Sequence, residues 1–125
     1  MTQPNFILLY VSSPIESAAF YTRLMGCEAI EASPTFAMFA LESGVMLGLW
    51  ARHTVEPAVA CGTHNANHEL AFAQPDLASV DRLHAEWLAL GLPIIQSPTR
   101  MDFGYTFTAI DPDGHRLRVF APHRD

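Results

Sequence analysis

Little in this sequence can serve as a covalent framework. Two cysteines, Cys27 and Cys61, stand in 125 residues. They are too few for a disulfide scaffold and lack the Cys-x-x-Cys spacing of a zinc or redox site; they read as free thiols of a reducing compartment. Basic charge is also scarce. Lys+Arg 7 against Asp+Glu 13 gives a formal net charge of -6, which disfavours nonspecific nucleic-acid binding, because that requires a cationic surface to displace counterions. No apolar run reaches the ~18 residues of a membrane span, and residues 1–5 carry no basic leader. The expectation is a cytoplasmic chain with neither membrane nor nucleic acid as a partner. Hydrocarbon, by contrast, is plentiful: 50% of residues are hydrophobic and 16% charged, which predicts a packed core within one domain-sized chain rather than disorder.

The chain repeats itself. Residues 5–51 read strand, helix, strand, strand, strand, and residues 68–122 read so again, with 52–67 as a connector rich in turn formers. The echo is clearest where each half closes: Gly44-Val-Met-Leu-Gly-Leu-Trp-Ala51 against Gly114-His-Arg-Leu-Arg-Val-Phe-Ala121. In the first half, the continuous apolar run Phe6–Val11 suggests a strand buried on both faces. Ser13, Pro14 and Glu16 announce a helix that runs to about Met25 and stops at Gly26, with Ser17, Phe20, Tyr21 and Leu24 on its inner face. Strands are expected over 28–32, 36–41 and 45–50. In the second half a strand is expected over 68–73. Asp76 then caps a helix over 77–90 with an apolar stripe of Leu77, Val80, Leu83, Trp87 and Leu88. Strands over 94–96, 105–110 and 117–120 follow, the last after the tight turn Asp111-Pro-Asp-Gly114.

Tyr10-Val11, the spacing Ser17-x-x-Phe20-Tyr21-x-x-Leu24-x-Gly26, and Asp111-Pro-Asp-Gly114 before the final strand together resemble the vicinal oxygen chelate superfamily. That superfamily holds glyoxalase I, extradiol dioxygenases, and the bleomycin- and phenazine-resistance binding proteins. The second half is most similar to the phenazine-resistance proteins, through Asp102-Phe-Gly-Tyr-Thr-Phe107, then Asp111 to His115 and Arg118, and Trp50 has a counterpart there too. The resemblance implies an α+β fold of two βαβββ modules, each a curved mixed sheet with a helix on its outer face, together forming a cup for the ligand. It also implies a homodimer with pockets at or near the subunit interface.

Catalytic members of such a superfamily hold a divalent metal with four side chains, two from each half. By resemblance these positions are Phe6, Gly48, His68 and Arg118. Only His68 is a donor: Phe6 and Gly48 have no ligating atom, and Arg118 is a fixed cation. A catalytic metal needs about three protein ligands, so no metal or other cofactor is expected, and the balance leans away from an enzyme. His53, His64, His84, His115 and His123 show no spacing that would rebuild a site.

Strand alternation then places Met46, Gly48 and Trp50 on one face and Arg116, Arg118 and Phe120 on its counterpart, with Phe6, Leu8, Tyr10, His68, Leu70 and Phe72 beside them. Phe103 and Tyr105 join this candidate ligand-binding set through the Asp102–Phe107 stretch. Gly48 is expected to make room for a flat ligand, Trp50 to stack on it, and Arg118 to pair with its anionic group or with Glu28, Glu31 or Asp102. The expected function is metal-free capture of a small aromatic, anionic, antibiotic-like molecule. Two alternatives stand beside it: a glyoxalase-type metal-dependent lyase or dioxygenase, and a metal-free enzyme using His68 as base and Arg118 as oxyanion partner.

Overall fold

Both helices begin and end where local chemistry directs. Ser13 caps α1 (Pro14–Met25): its hydroxyl accepts the Glu16 N–H at 3.2 Å, and Pro14, which has no N–H to lose, takes the first position. Gly26 closes it in the left-handed conformation at φ 73, its N–H bonded to the Thr22 carbonyl at 2.9 Å. Asp76 caps α2 (Leu77–Ala89), its carboxylate accepting both the N–H and the hydroxyl of Ser79 at 2.8 Å.

The computed structural model describes residues 2–59 and 68–123. Cys61 and His64 lie outside the described residues, as does part of the expected connector. Two compact units are present, Met1–Thr63 and His64–Asp125. The first carries strands β1 (Phe6–Val11), β2 (Glu31–Ala32), β3 (Phe36–Ala40) and β4 (Met46–Ala51) in the order β1-β4-β3-β2, with β1 parallel to β4 and the other pairs antiparallel. The second carries β5 (Glu69–Ala73), β6 (Ile94–Met101), β7 (Gly104–Ile110) and β8 (Arg116–Pro122) in the order β5-β8-β7-β6, with β5 parallel to β8. The fold is α+β, two βαβββ modules.

Each sheet is covered by its helix on one face only. In the first unit Leu9, Val11, Ala37, Phe39, Leu47 and Leu49 are buried there with Phe20 and Tyr21 of α1. In the second, Phe107, Ala109, Leu117 and Val119 are buried with Val80 and Trp87 of α2, whose indole meets Phe72 and Phe107 edge-on at 5.4 and 5.3 Å.

Several expectations need correction. Strand β1 is buried on one face, not two, with Phe6, Leu8 and Tyr10 exposed. The α2 stripe is narrower, because Leu77 and Leu88 face outward. Strand β2 keeps only two laddered residues, whereas β6 extends to Met101 instead of stopping at Gln96. Pro98 is tolerated within β6 because it is an edge strand bonded to β7 alone, and its register shifts between Ile94 and Thr99. Strand β5 begins at Glu69, not His68, and its register, with Ala71 opposite Arg118, puts its side chains on the opposite faces from those expected.

Candidate functional site

The sheet face turned away from each helix is where chemistry can be exposed. In the first unit that face is hydrocarbon. Phe6, Leu8 and Tyr10 are 43%, 45% and 38% exposed, and Phe36, Met38, Met46 and Trp50 beside them are half-buried. Tyr10, Trp50 and Phe36 are neighbours across three strands, and the Tyr10 and Trp50 rings meet edge-on at 6.3 Å. Exposed apolar surface of this extent on a sheet is a mark of a binding face.

Gly48 does not provide the expected space. It is buried, and a Cβ added there would stand 2.6 Å from Leu8 Cδ2 and 3.0 Å from both Phe36 Cζ and Phe6 Cε1. The glycine lets those three side chains close over the backbone, so the aromatic surface beside it, not a gap, is the feature.

The same face of the second unit is a polar network. Arg118 pairs with Glu69 through two bonds, Nε to Oε1 at 2.9 Å and Nη2 to Oε2 at 3.0 Å. Its Nη1 donates to Gln96 Oε1 at 3.1 Å and Thr106 Oγ1 at 3.2 Å. Thr108 donates to the same Gln96 oxygen at 3.1 Å, so the amide orients the guanidinium. The hydrogen bond from Arg118 holds the Glu69 carboxyl below its ordinary range, with the charges of Arg118 and Arg116 adding to the effect against a desolvation that opposes it. Phe103, 45% exposed, lies under the guanidinium at 5.8 Å and edge-on to Phe120 at 6.1 Å.

The register decides which expected residues share these faces. Leu8 pairs with Gly48 and Ala71 pairs with Arg118, so the equivalent of Phe6, two residues earlier, is Glu69. His68 is exposed and precedes β5. Phe72 and Leu70 pair with Val119 and Leu117 on the helix side, where Phe72 packs against Trp87. Tyr105 also turns to the helix side: its hydroxyl donates to Asp81 of α2 at 2.7 Å, which raises its pKa, and it lines a recess of about 250 Å³ with Asp76, Arg100 and His123. The acid beside Arg118 is Glu69 in place of the expected Glu28, Glu31 or Asp102. Trp50, Met46, Tyr10 and Phe6 of the first unit and Phe103 and Arg118 of the second do stand on the open faces. Glu69, Gln96, Thr106 and Thr108 went unanticipated; alternation counted back from Arg118 along the paired strand would have found Glu69.

The four metal positions implied by the family resemblance are thus Phe6, Gly48, Glu69 and Arg118. Glu69 is the sole donor, and both its oxygens bind a permanent cation that would repel a divalent ion. These residues do not fit the metal. Among the described residues no group of three or more His, Cys, Asp or Glu gathers to hold one. The histidines have other surroundings: His84 lies against Phe107 at 5.2 Å, His115 Nδ1 is 2.9 Å from Asp111 Oδ2, and His123 Nε2 is 2.9 Å from the Met101 carbonyl. No helix among the described residues is long and apolar enough to cross a membrane.

Residues 3–119 match the family described as the Glyoxalase/Bleomycin resistance protein/Dioxygenase superfamily. The chain is 29% identical over 119 residues to the phenazine antibiotic resistance protein EhpR of Enterobacter agglomerans, covering 93% of this chain and 89% of that one. It is 51% identical to an Agrobacterium tumefaciens protein solved by solution NMR, with a TM-score of 0.89 over 99% of this chain and 100% of that one. A glyoxalase-related enzyme from Fulvimarina pelagi shares the fold at 22% identity, with a TM-score of 0.82 over 97% of this chain and 88% of that one. The chain belongs to this superfamily.

Proposed function

We propose that this member of the glyoxalase/bleomycin resistance/dioxygenase superfamily captures a small, flat aromatic molecule of the antibiotic type, and does so without a metal. The observation that carries the reading is the open hydrocarbon face around Trp50 and Tyr10, which offers ring surface that no helix covers. The name of EhpR supports an antibiotic as the ligand class. On the open face of the second unit Arg116 and Arg118 lie beside Glu69, which favours a negative charge on a ligand held there. The working form we propose is a cytoplasmic homodimer.

A metal-dependent lyase or dioxygenase would need donors that Phe6, Gly48 and Arg118 do not supply. A metal-free enzyme on His68 and Arg118 would need a free guanidinium beside a base, whereas Arg118 is bonded to Glu69 and His68 stands outside the strand. Neither reading has an observation in its favour.

The test is a titration with phenazine-1-carboxylate followed by tryptophan fluorescence. Trp87 is 3% exposed in the helix-side core, so quenching reports Trp50. Trp50→Leu is expected to weaken binding about tenfold, the scale of a lost aromatic contact with its buried area. EDTA is expected to leave the Kd unchanged; loss of binding on chelation would overturn the reading. Sedimentation velocity reports the dimer, and a monomer that binds would remove the dimeric part alone.

A further inference from the structure

We infer that Arg116, not Arg118, selects a ligand for negative charge. The inference rests on the capture reading above, applied to a ligand held on the open face of the second unit, and assigns the charge preference there to one side chain. A guanidinium has five N–H donors, and four of those on Arg118 are engaged: two by Glu69, one each by Gln96 and Thr106. One N–H on Nη2 is left, so a ligand carboxylate could take a two-bond pair from Arg118 only by displacing Glu69. Glu69 also cancels the charge of Arg118 and repels an incoming anion.

Arg116 is differently placed. It is the Cα partner of Glu69 and alternates onto the same open face as Arg118 and Phe120. It is exposed, and its side chain makes no hydrogen bond or ion pair among the described residues. It acts on Glu69 only through space, as one of the charges that lower its pKa. Glu69 offsets the charge of one of the two arginines, and the side chain free to present the other charge is Arg116. Along β8 the order is Arg116, Arg118, Phe120, with Phe103 against both of the latter. A flat ring lying on Phe120, Phe103 and the guanidinium plane of Arg118 would direct a carboxylate at its far end toward Arg116, roughly 7 Å further at ~3.3 Å per residue. Arg118 then serves as a neutralised flat platform and Arg116 as the charge reader.

The experiment compares two probes of one shape, phenazine-1-carboxylate and its neutral carboxamide, by calorimetry in low and high salt. The full chain should prefer the carboxylate several-fold in low salt, and the preference should shrink in high salt because an exposed charge is screened. Arg116→Gln should remove that preference, lowering carboxylate affinity roughly fivefold while changing carboxamide affinity far less. Glu69→Gln should widen the preference, by freeing Arg118 and removing the repelling charge. Arg118→Gln should weaken both probes together, because it unmakes the platform. Circular dichroism confirms that each variant is folded. A carboxylate preference that survives Arg116→Gln, or that disappears only with Arg118→Gln while the carboxamide still binds, overturns the inference. Equal affinity of the unaltered chain for both probes overturns it too. Failure of both probes to bind overturns the capture reading itself, a result distinct from any of these.

Discussion

Strands β4 and β8 are equivalent in the two units, and their residues compare in alternation. On the helix side Leu47, Leu49 and Ala51 answer Leu117, Val119 and Ala121, all buried. On the open side Met46, Gly48 and Trp50 answer Arg116, Arg118 and Phe120, and only the aromatic character of the last pair survives. One pleat therefore carries two kinds of constraint. The inward face must fill a core at crystal-like density, so its residues stay alike in the two copies. The outward face answers to no common packing partner, and there one copy became hydrocarbon and the other an ion-pair network. What a duplicated fold shares tells of stability; what it does not share tells of recognition.

The largest effects should come from the shared face. Leu47→Ala and Leu117→Ala, at equivalent and fully enclosed positions, should each cost about 2–5 kcal/mol in urea unfolding. A large inequality between them would break the equivalence of the two cores. On the unshared face, Arg118→Ala should cost about 2 kcal/mol, because Glu69, Gln96 and Thr106 all lose their charged donor. Its counterpart, Gly48→Ala, should cost only about 1 kcal/mol, since the new methyl can displace the exposed end of Leu8. If Gly48→Ala proves the costlier, the hydrocarbon face is more rigid than the network. The smallest effect concerns acid. Glu69 has a folded-state pKa lowered from its ordinary 4.5, so its pairing contributes stability above that value and loses it as pH falls through the folded-state value. Melting scans from neutral pH downward should show a shallower acid-side loss for Glu69→Gln than for the unaltered chain. Equal slopes would mean the pair contributes nothing, as is common for partly exposed ion pairs.

The sequence made the helices readable because their signals are local. Ser13, Pro14, Gly26 and Asp76 act within one turn of where they stand. The duplicated order of elements was readable for a similar reason, since turn residues punctuate it. Side-chain faces in β5 were not, because His68 and Glu69 are equally good first residues and only the pairing of Ala71 with Arg118 distinguishes them. That slip of one residue carried Phe72 to the wrong face and concealed the partner of Arg118. Tyr105 was misplaced because its face is set by Ala121 across the sheet and by Asp81 on the helix, neither of which is close in sequence. The apolar run Phe6–Val11 looked doubly buried because a binding face and a core face have the same composition. The length of β6 was hidden by Pro98, which suggests a break everywhere except on an edge.

The outermost strands have a consequence for how this chain behaves at high concentration. Of the four edge strands β1, β2, β5 and β6, β2 has two residues and β6 is bent by register shifts around Pro98. Neither margin presents a long, flat row of free amides and carbonyls on which a strand of another molecule could align. A protein that leaves so much greasy surface uncovered faces an evident hazard of fibrous stacking. Pairing with another copy is thereby discouraged along those two margins, and the regular edges left in the two sheets are β1 and β5.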